Sequence, residues 1–262
     1  MKFVALFMLI VMFGCSSKTK TPQNPEMIHN QELLNATLWY QTAAEVKALY
    51  HQGYNLARLR LDEDLKKKSE KKRAVVVDID ETIIDNSPYQ AKIILENVEY
   101  PKYWNEWITS ESAKALPGAV EFLTYADKKG VEVFYITNRK TVEQAGTLHN
   151  LQKLGFPVKD NSHLLMRETE NNKTGRRDII SKEHRIVLLI GDNMNDFTGL
   201  YEKKSVKERN EITDKSQNDF GKIYIILPNP MYGDWEGAVF NYNYGLTSEE
   251  KDIKRKSHLT GF

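Results

Sequence analysis

The sequence lacks several features that would identify its chemistry at once. Among its 262 residues Cys15 is the only cysteine, so no disulfide can form within the chain and stability must come from packing. The 37 basic and 36 acidic residues nearly cancel, which gives no bias toward a nucleic-acid polymer. Three motifs are also missing: the metal-binding His-Glu-x-x-His, the Arg-His-Gly of histidine-nucleophile phosphatases and a Walker phosphate loop. This length and composition are typical of one globular domain with an insertion.

The N-terminus has the pattern of a secretory signal followed by a lipid anchor. Residues 3–13 form an apolar run after a basic start, and this run is too short to span a bilayer comfortably. The lone cysteine behind it resembles a bacterial lipoprotein box. This implies a cleaved signal peptide (1–14), acylation of Cys15 with palmitate, and anchoring in the outer membrane, facing the periplasm or the cell surface. The alternatives are a plain signal peptide and an uncleaved anchor. Residues 15–30 are polar, contain two prolines and predict a flexible tether.

Beyond the tether, strand patterns alternate with helix patterns. Two helices are predicted between Gly118 and Gly130 and over about 141–154. The alternation is typical of an α/β domain with a parallel sheet, here 31–262, whose chemistry lies at the carboxyl ends of the strands. A three- and four-residue recurrence predicts a first helix with one buried face, formed by Trp39, Ala43, Val46, Tyr50, Tyr54 and Ala57. Short β-branched runs predict buried strands at 74–77, 131–136, 164–166, 186–190 and 223–227.

Residues 85–116 differ in character from the segments around them. They show few strand signals, and they follow directly on the first predicted strand and the polar residues behind it. We expect a small, mainly helical insertion that covers the site as a cap. Its aromatic residues are Tyr89, Tyr100, Tyr103, Trp104 and Trp107.

Two acidic clusters follow two of the predicted strands. Residues 78–82 read Asp-Ile-Asp-Glu-Thr, and residues 191–196 read Gly-Asp-Asn-Met-Asn-Asp. Neighbouring carboxylates repel each other and lose solvation, and a divalent cation such as Mg²⁺ offsets both costs. In the first pair, one Asp is a candidate nucleophile and the other a candidate acid and base. The spacing of Asp192 and Asp196 favours the start of a helix, with both side chains on one face.

Other polar groups can complete a site for a phosphoryl group. Thr137 and Asn138 end the second predicted strand and offer a hydroxyl and an amide. Lys173 can place a positive charge against a transferring phosphoryl group, and Arg176 and Arg177 are competing cations.

The order of these motifs resembles the haloacid dehalogenase (HAD) superfamily. More narrowly, it resembles the class C acid phosphatases, the lipoprotein e (P4) family of 5′-nucleotidases. The two halves of that family's signature are present at 76–89 and 187–197, with Ile84 and Met194 where Leu is commoner. The resemblance covers nearly the whole chain, including the leader. It implies a HAD-like Rossmannoid parallel sheet flanked by helices, and a Mg²⁺-dependent acid phosphatase that forms an aspartyl-phosphate.

The resemblance also implies a role for each motif residue. Asp78 is the nucleophile and a Mg²⁺ ligand, and Asp80 is the acid and base and binds the metal through its backbone carbonyl. Asp192 is the third protein ligand. Asp196 orients the ligands or the lysine. The phosphoryl group is bound by Thr137 and Lys173.

The resemblance further implies nucleoside 5′-monophosphates, nicotinamide mononucleotide and aryl phosphates as substrates, and a homodimer. Broad selection of this kind needs an aromatic surface, because base stacking tolerates any ring. Trp104 in the insertion and Tyr232 in 228–236 are the predicted stacking pair; alternatively, both rings cover the core. Arg139 either contacts substrate or pairs with an acid. Two rival functions are a phosphotransferase and a non-catalytic nucleotide- or haem-binding lipoprotein, although a pure binder has no need of Asp80.

Overall fold

A computed structural model describes the backbone of residues 25–262 and the side chains from residue 32 onward. The predicted signal peptide (1–14), Cys15 and the tether up to residue 24 lie outside the described residues. A helix begins at Pro25, within the stretch predicted as tether. Across residues 25–262, every helix falls short of the length and apolar character that a membrane span requires.

The predicted alternation of strands and helices is present in the structure. Along the chain, the elements are α1 (Pro25–Thr42), α2 (Ala44–Leu65), β1 (Lys72–Val77), β2 (Ile84–Asp85), α3 (Ser87–Leu95), α4 (Trp104–Ser110), β3 (Lys114–Ala115), α5 (Ala119–Lys128), β4 (Glu132–Lys140), α6 (Gln144–Lys153), β5 (Leu164–Arg167), α7 (Thr174–Glu183), β6 (His184–Gly191), α8 (Val206–Lys215), β7 (Tyr224–Ile226), α9 (Asp234–Val239) and α10 (Ser248–Ser257).

The core is a five-stranded parallel sheet in the order β5-β4-β1-β6-β7, which confirms the predicted fold class. The central strand β1 sends alternate side chains to opposite faces. Val75 and Val77 enter the larger apolar cluster, with α2 and α5, whereas Ala74 and Val76 enter the smaller one, with Ile180 of α7. Both faces of β1 are therefore covered, which explains why its sequence is a continuous apolar run.

Two local predictions need correction. The first helix is two helices, because the backbone at Ala43 is extended (φ −74°, ψ 127°) and separates α1 from α2. Trp39 lies on α1 and is 37% exposed, so it does not share the buried face of Tyr50 and Tyr54. Strand β4 continues past its predicted end to Lys140, with a register irregularity after Ile136, because its last residues still pair with β5.

The insertion is anchored by a small antiparallel pair. Strands β2 and β3 pair through Ile84 and Ala115, and this brings the two ends of the insertion together. Helices α3 and α4 lie between them, and the rings of Tyr89 and Trp104 meet edge to face with centroids 5.0 Å apart. Both helices contribute side chains to a cleft that Asp78 also lines. The insertion is thus mainly helical and forms one wall of the cleft.

Candidate active site

The loop after β1 is fixed by hydrogen bonds from both directions. The backbone N–H of Asp78 still donates to Ile190 in β6 at 3.0 Å, so this residue continues the sheet. Glu81 then adopts a left-handed conformation (φ 54°), and its carbonyl accepts from the hydroxyl of Tyr50. The hydroxyl of Tyr54 donates to the carbonyl of Thr82 at 2.7 Å. Two tyrosines of α2 therefore hold the loop that carries the first acidic pair.

The two acidic clusters converge, as expected for the carboxyl ends of neighbouring parallel strands. One carboxylate oxygen from each of Asp78, Asp192 and Asp196 lies within 4.8 Å of the other two. Asp192 is held by two donors: Asn229 Nδ2 at 2.8 Å and Thr82 Oγ1 at 3.2 Å. Three acids this close have the donor set of a site for a hard divalent cation.

Lys173 is the cation of this cluster. Its side chain is buried (6% exposed), and its ammonium group pairs with Asp78 and, at 2.7 Å, with Asp196. Arg176 and Arg177, the competing cations, point elsewhere. Arg176 donates to Asn138 Oδ1 at 2.7 Å, and Arg177 donates to the backbone carbonyl of Asp196 at 2.9 Å.

Burial dominates the electrostatics of these groups. It raises the pKa of Asp78 to about 7; the charge of Lys173 acts against this rise, and Asp196 and Asp80 add to it. Burial also raises the pKa of Asp192 well above its ordinary value, with Asp196 and Asp78 as further causes. Burial alone would lower the pKa of Lys173, but the ion pairs with Asp196 and Asp78 outweigh it and raise the pKa to about 12. With all four groups ionised, the cluster carries two excess negative charges, which a divalent cation would balance.

The spacing of Asp192 and Asp196 predicted the start of an α-helix, and this prediction is wrong. Met194–Asp196 form a single 3-10 turn. Within it, Oδ2 of Asp196 folds back to accept from the backbone N–H of Asn193 at 2.9 Å. The tight turn leaves no room at Gly191, where an added Cβ would lie 2.2 Å from that same oxygen. The two acids still reach one site, but by a turn that closes on itself.

Asp80 lies outside the three-acid group and has a separate set of partners. Its Oδ1 accepts from Nε and Nη2 of Arg139, at 2.9 and 2.7 Å, and from Nδ2 of Asn86 at 2.8 Å. Its Oδ2 accepts from Thr137 Oγ1 at 3.4 Å. Arg139 was predicted either to contact substrate or to pair with an acid. In the structure the residue is 4% exposed, and its guanidinium pairs with Asp80.

A cleft of about 1170 Å³ opens over these groups. Trp104 lines one wall, where the guanidinium carbon of Arg139 lies 5.5 Å from its ring centroid. Tyr232 lines the cleft too and packs partly against the core. The described residues that line the cleft and carry the predicted chemistry are Asp78, Asp80, Trp104, Asn138, Arg139, Lys173, Asp192, Asp196 and Tyr232.

Sequence reasoning missed four residues that shape the site: Asn86, Asn229, Tyr50 and Tyr54. Asn86 is part of the first signature half, and that was the one available signal for it. Asn229 stands just after the last strand, where polar residues reach the same sheet edge. The tyrosines gave no signal, because their rings fit the apolar pattern of α2 and only their hydroxyls reach the loop.

Comparison with known proteins agrees with this geometry. The family model for the HAD superfamily, subfamily IIIB (acid phosphatase), matches residues 11–235. The structure of the class C acid phosphatase from Bacillus anthracis is 47% identical, with a TM-score of 0.87, and the match covers 90% of this chain and 99% of that one. A structure of that enzyme with tungstate bound is 48% identical over the same shares, with a TM-score of 0.87.

A plant relative matches more weakly. Acid phosphatase 1 of Solanum lycopersicum is 28% identical over 170 residues, which are 60% of this chain and 57% of the tomato protein. The chain thus spans little more than half the length of the plant relatives that it matches. The family match, the class C structures and the converging acids lead to one assignment. This chain belongs to the HAD superfamily, subfamily IIIB acid phosphatases, and within that subfamily to the class C enzymes.

Proposed function

We propose that the protein is a Mg²⁺-dependent acid phosphatase that hydrolyses small phosphate monoesters through an aspartyl-phosphate on Asp78. One observation carries the proposal: Asp78, Asp80 and Lys173 line one cleft, with Asp78 paired to the lysine and Asp80 held apart from it. A carboxylate nucleophile and a separate carboxyl group for proton transfer are what this two-step chemistry requires.

In the first step, a carboxylate oxygen of Asp78 attacks phosphorus, and the bond to the ester oxygen breaks. Asp80 protonates the leaving oxygen, so that an alcohol departs rather than an alkoxide. Lys173 stabilises the negative charge of the transferring phosphoryl oxygens. Thr137 is fully buried, and its hydroxyl donates to Asp80 at 3.4 Å, so it would have to turn from that acid to contact the phosphoryl group. Burial favours this arrangement, because the attraction between the ammonium group of Lys173 and the phosphoryl oxygens is strengthened where water is excluded.

In the second step, water replaces the alcohol. Asp80, now ionised, accepts a proton from a water molecule as that water attacks the phosphorus of the aspartyl-phosphate. Phosphate leaves, and the carboxylate of Asp78 is restored. An alcohol in place of water would give phosphotransfer, the rival reaction, by the same route.

The acids around Asp78 fit a bound divalent cation. Carboxylate oxygens of the three acids lie within 4.8 Å of one another, and oxygen is the ligand type that Mg²⁺ prefers. Asp78 and Asp192 would hold the ion, with the backbone carbonyl of Asp80. When bound there, Mg²⁺ neutralises the excess carboxylate charge and polarises the phosphoryl oxygens. Asp196, whose two oxygens accept from Lys173 and from the N–H of Asn193, would position the lysine and the turn.

The proposed substrates carry a ring: nucleoside 5′-monophosphates, nicotinamide mononucleotide and aryl phosphates. The aromatic side chains in the cleft walls support this choice. Trp104 and Tyr232 offer π-surfaces in the cleft that holds the acids. The related Bacillus anthracis enzyme has been seen with tungstate, a tetrahedral oxyanion, which supports an oxyanion site in this family.

The test is phosphate release from 4-nitrophenyl phosphate and from a nucleoside 5′-monophosphate, with EDTA and with restored Mg²⁺. We expect EDTA to abolish turnover and Asp78→Asn to abolish it at any Mg²⁺ concentration. Asp178→Asn is the matched control, because it makes the same chemical change at an exposed position on α7. Full activity of Asp78→Asn would refute the assignment of Asp78 as the nucleophile. Ligand binding without turnover in the wild type would favour the non-catalytic alternative.

We propose in addition that Cys15 carries a lipid that anchors the enzyme in a bacterial outer membrane. The apolar run before this single cysteine supports the proposal. Labelled palmitate should be incorporated by the wild type and not by Cys15→Ser, and the variant should move from the membrane to the soluble fraction. Membrane retention of an unlabelled protein would refute the proposal that Cys15 carries a lipid.

The class C resemblance also favours a homodimer, which light scattering on the protein without its leader can test.

A further inference from the structure

The two oxygens of Asp80 have very different surroundings. Oδ1 accepts three hydrogen bonds, two from Arg139 and one from Asn86, all between 2.7 and 2.9 Å. Oδ2 accepts one long bond, from Thr137 Oγ1 at 3.4 Å. A carboxyl oxygen that already accepts three N–H donors has no room for a proton of its own. The proton that Asp80 transfers therefore sits on Oδ2, the oxygen turned toward Thr137.

Each of the three nitrogens of the Arg139 guanidinium donates a hydrogen bond in this arrangement. Nε and Nη2 both bind Oδ1 of Asp80, and Nη1 donates to Thr147 Oγ1 at 3.1 Å. The residue is buried although it lines the cleft, and its guanidinium is engaged by Asp80 rather than free for a ligand. A substrate-binding arginine would have to break these bonds first, which disfavours that role.

Asn86 links Asp80 to the insertion. Its side chain is fully buried, and its Oδ1 accepts from the indole N–H of Trp107 at 2.8 Å and from Arg139 Nη2 at 3.3 Å. Its backbone N–H donates to the buried carboxyl group of Glu81 at 2.8 Å. The amide can therefore rotate only by breaking several buried hydrogen bonds, which fixes the direction of Nδ2 toward Asp80.

We infer that Asn86 and Arg139 are positioning residues for proton transfer: together they lock Oδ1 of Asp80 and present Oδ2 to the leaving oxygen, and Trp107 of the insertion holds Asn86 in place. The inference rests on the proposed acid role of Asp80. It assigns the insertion a part in the chemistry beyond covering the cleft, because α4 supplies one of the bonds that orient the acid.

Substrates with different leaving groups distinguish a role in positioning the acid from a merely structural role. An acidic nitrophenol departs as the phenolate without a proton, whereas the alkoxide of a nucleoside does not. The value of kcat/KM reports only the steps up to transfer onto Asp78, so it isolates the acid role of Asp80 from its later role as base. We expect Asn86→Ala to lower kcat/KM for a nucleoside 5′-monophosphate about 30- to 100-fold, and for 4-nitrophenyl phosphate less than about threefold.

Three further variants make the test decisive. Arg139→Lys keeps the charge but cannot place two N–H groups on one oxygen, so it should show the same selective loss. Trp107→Phe keeps the ring and removes one bond to Asn86, so it should fold and show a smaller selective loss. Asn150→Ala is the matched control. It removes a buried amide that donates to the carbonyl of Ala113 at 3.1 Å, and it should leave the ratio between the substrates unchanged.

The outcomes separate this inference from the proposed function. Equal losses for both substrates in Asn86→Ala, Arg139→Lys and Trp107→Phe, or no loss in any of them, would overturn the positioning role. If Asp80→Asn removes nucleotide turnover while those variants lose both activities equally, only the inference fails. If Asp80→Asn leaves nucleotide hydrolysis intact, the acid role itself fails.

Discussion

Removal of divalent cations should make the stability of this protein depend on pH in a defined direction. Burial raises the pKa of Asp78 from 3.8 to about 7 in the folded chain. The folded state therefore binds a proton that the unfolded state has released, between these two values. The metal-free protein should be most stable below pH 4 as far as this group is concerned, and it should lose that stability as the pH rises through 7.

The size of the effect follows from the shift. One pKa unit corresponds to about 1.4 kcal/mol, so the full rise amounts to about 4 kcal/mol as an upper bound. Of this, about 2–3 kcal/mol falls between pH 5 and pH 8. For a domain of this size, that is equivalent to roughly 5–10 °C in Tm.

The assay is thermal unfolding in EDTA across that pH range, followed by circular dichroism. Asp78→Asn isolates the contribution of this residue, because the neutral amide has the same shape and does not titrate. The variant should lose much of the slope and be the more stable protein at pH 8. Added Mg²⁺ should raise the Tm of the wild type more at pH 8 than at pH 5, because protons compete for the same oxygens. A metal-free wild type whose Tm is flat or rises from pH 5 to pH 8 would refute the reasoning.

Three other predictions concern the site and its walls. Gly191→Ala should displace the carboxylate of Asp196 and weaken Mg²⁺ affinity about 10- to 100-fold, measured by titration of activity; unchanged affinity would contradict the close approach. Tyr54→Phe should lower the free energy of unfolding by about 1–2 kcal/mol, because the buried carbonyl of Thr82 loses its donor; an unchanged denaturation midpoint would argue against it. Trp104→Ala should raise KM about 5- to 100-fold for nucleoside monophosphates but little for glycerol phosphate; equal changes would exclude stacking.

The sheet and the acids were predictable because both follow from local pattern. Residues 74–77 are apolar without interruption and rich in β-branched valine, a pattern that favours a strand covered on both faces. The parallel arrangement brings the strand ends to one edge of the sheet, and the acids after two of the strands predicted that Asp78 and Asp192 meet there. No knowledge of side-chain packing was needed for either step.

The partners of Asp80 were not predictable in the same way. Its oxygen is held by donors from two segments that are close to it only in the folded chain, at residues 86 and 139. The sequence offers many acidic residues as partners for Arg139, and pattern alone does not choose among them. The break at Ala43 also escaped prediction, because alanine is a strong helix former and its propensity gives no reason for the extended backbone there. Helix α1 packs on α3 and α10, and the sequence does not reveal these contacts.

The tyrosine hydroxyls of α2 have a practical consequence for work with soluble forms of the enzyme. Tyr50 and Tyr54 donate hydrogen bonds to the backbone of the loop at 81–82, so a protein truncated to the first strand should lose both bonds and leave the loop after Asp78 less well fixed. Removal of the residues before Pro25 should leave these two hydrogen bonds intact. The helix that precedes the first strand therefore supports the site, and a shortened version of the protein should begin before α2.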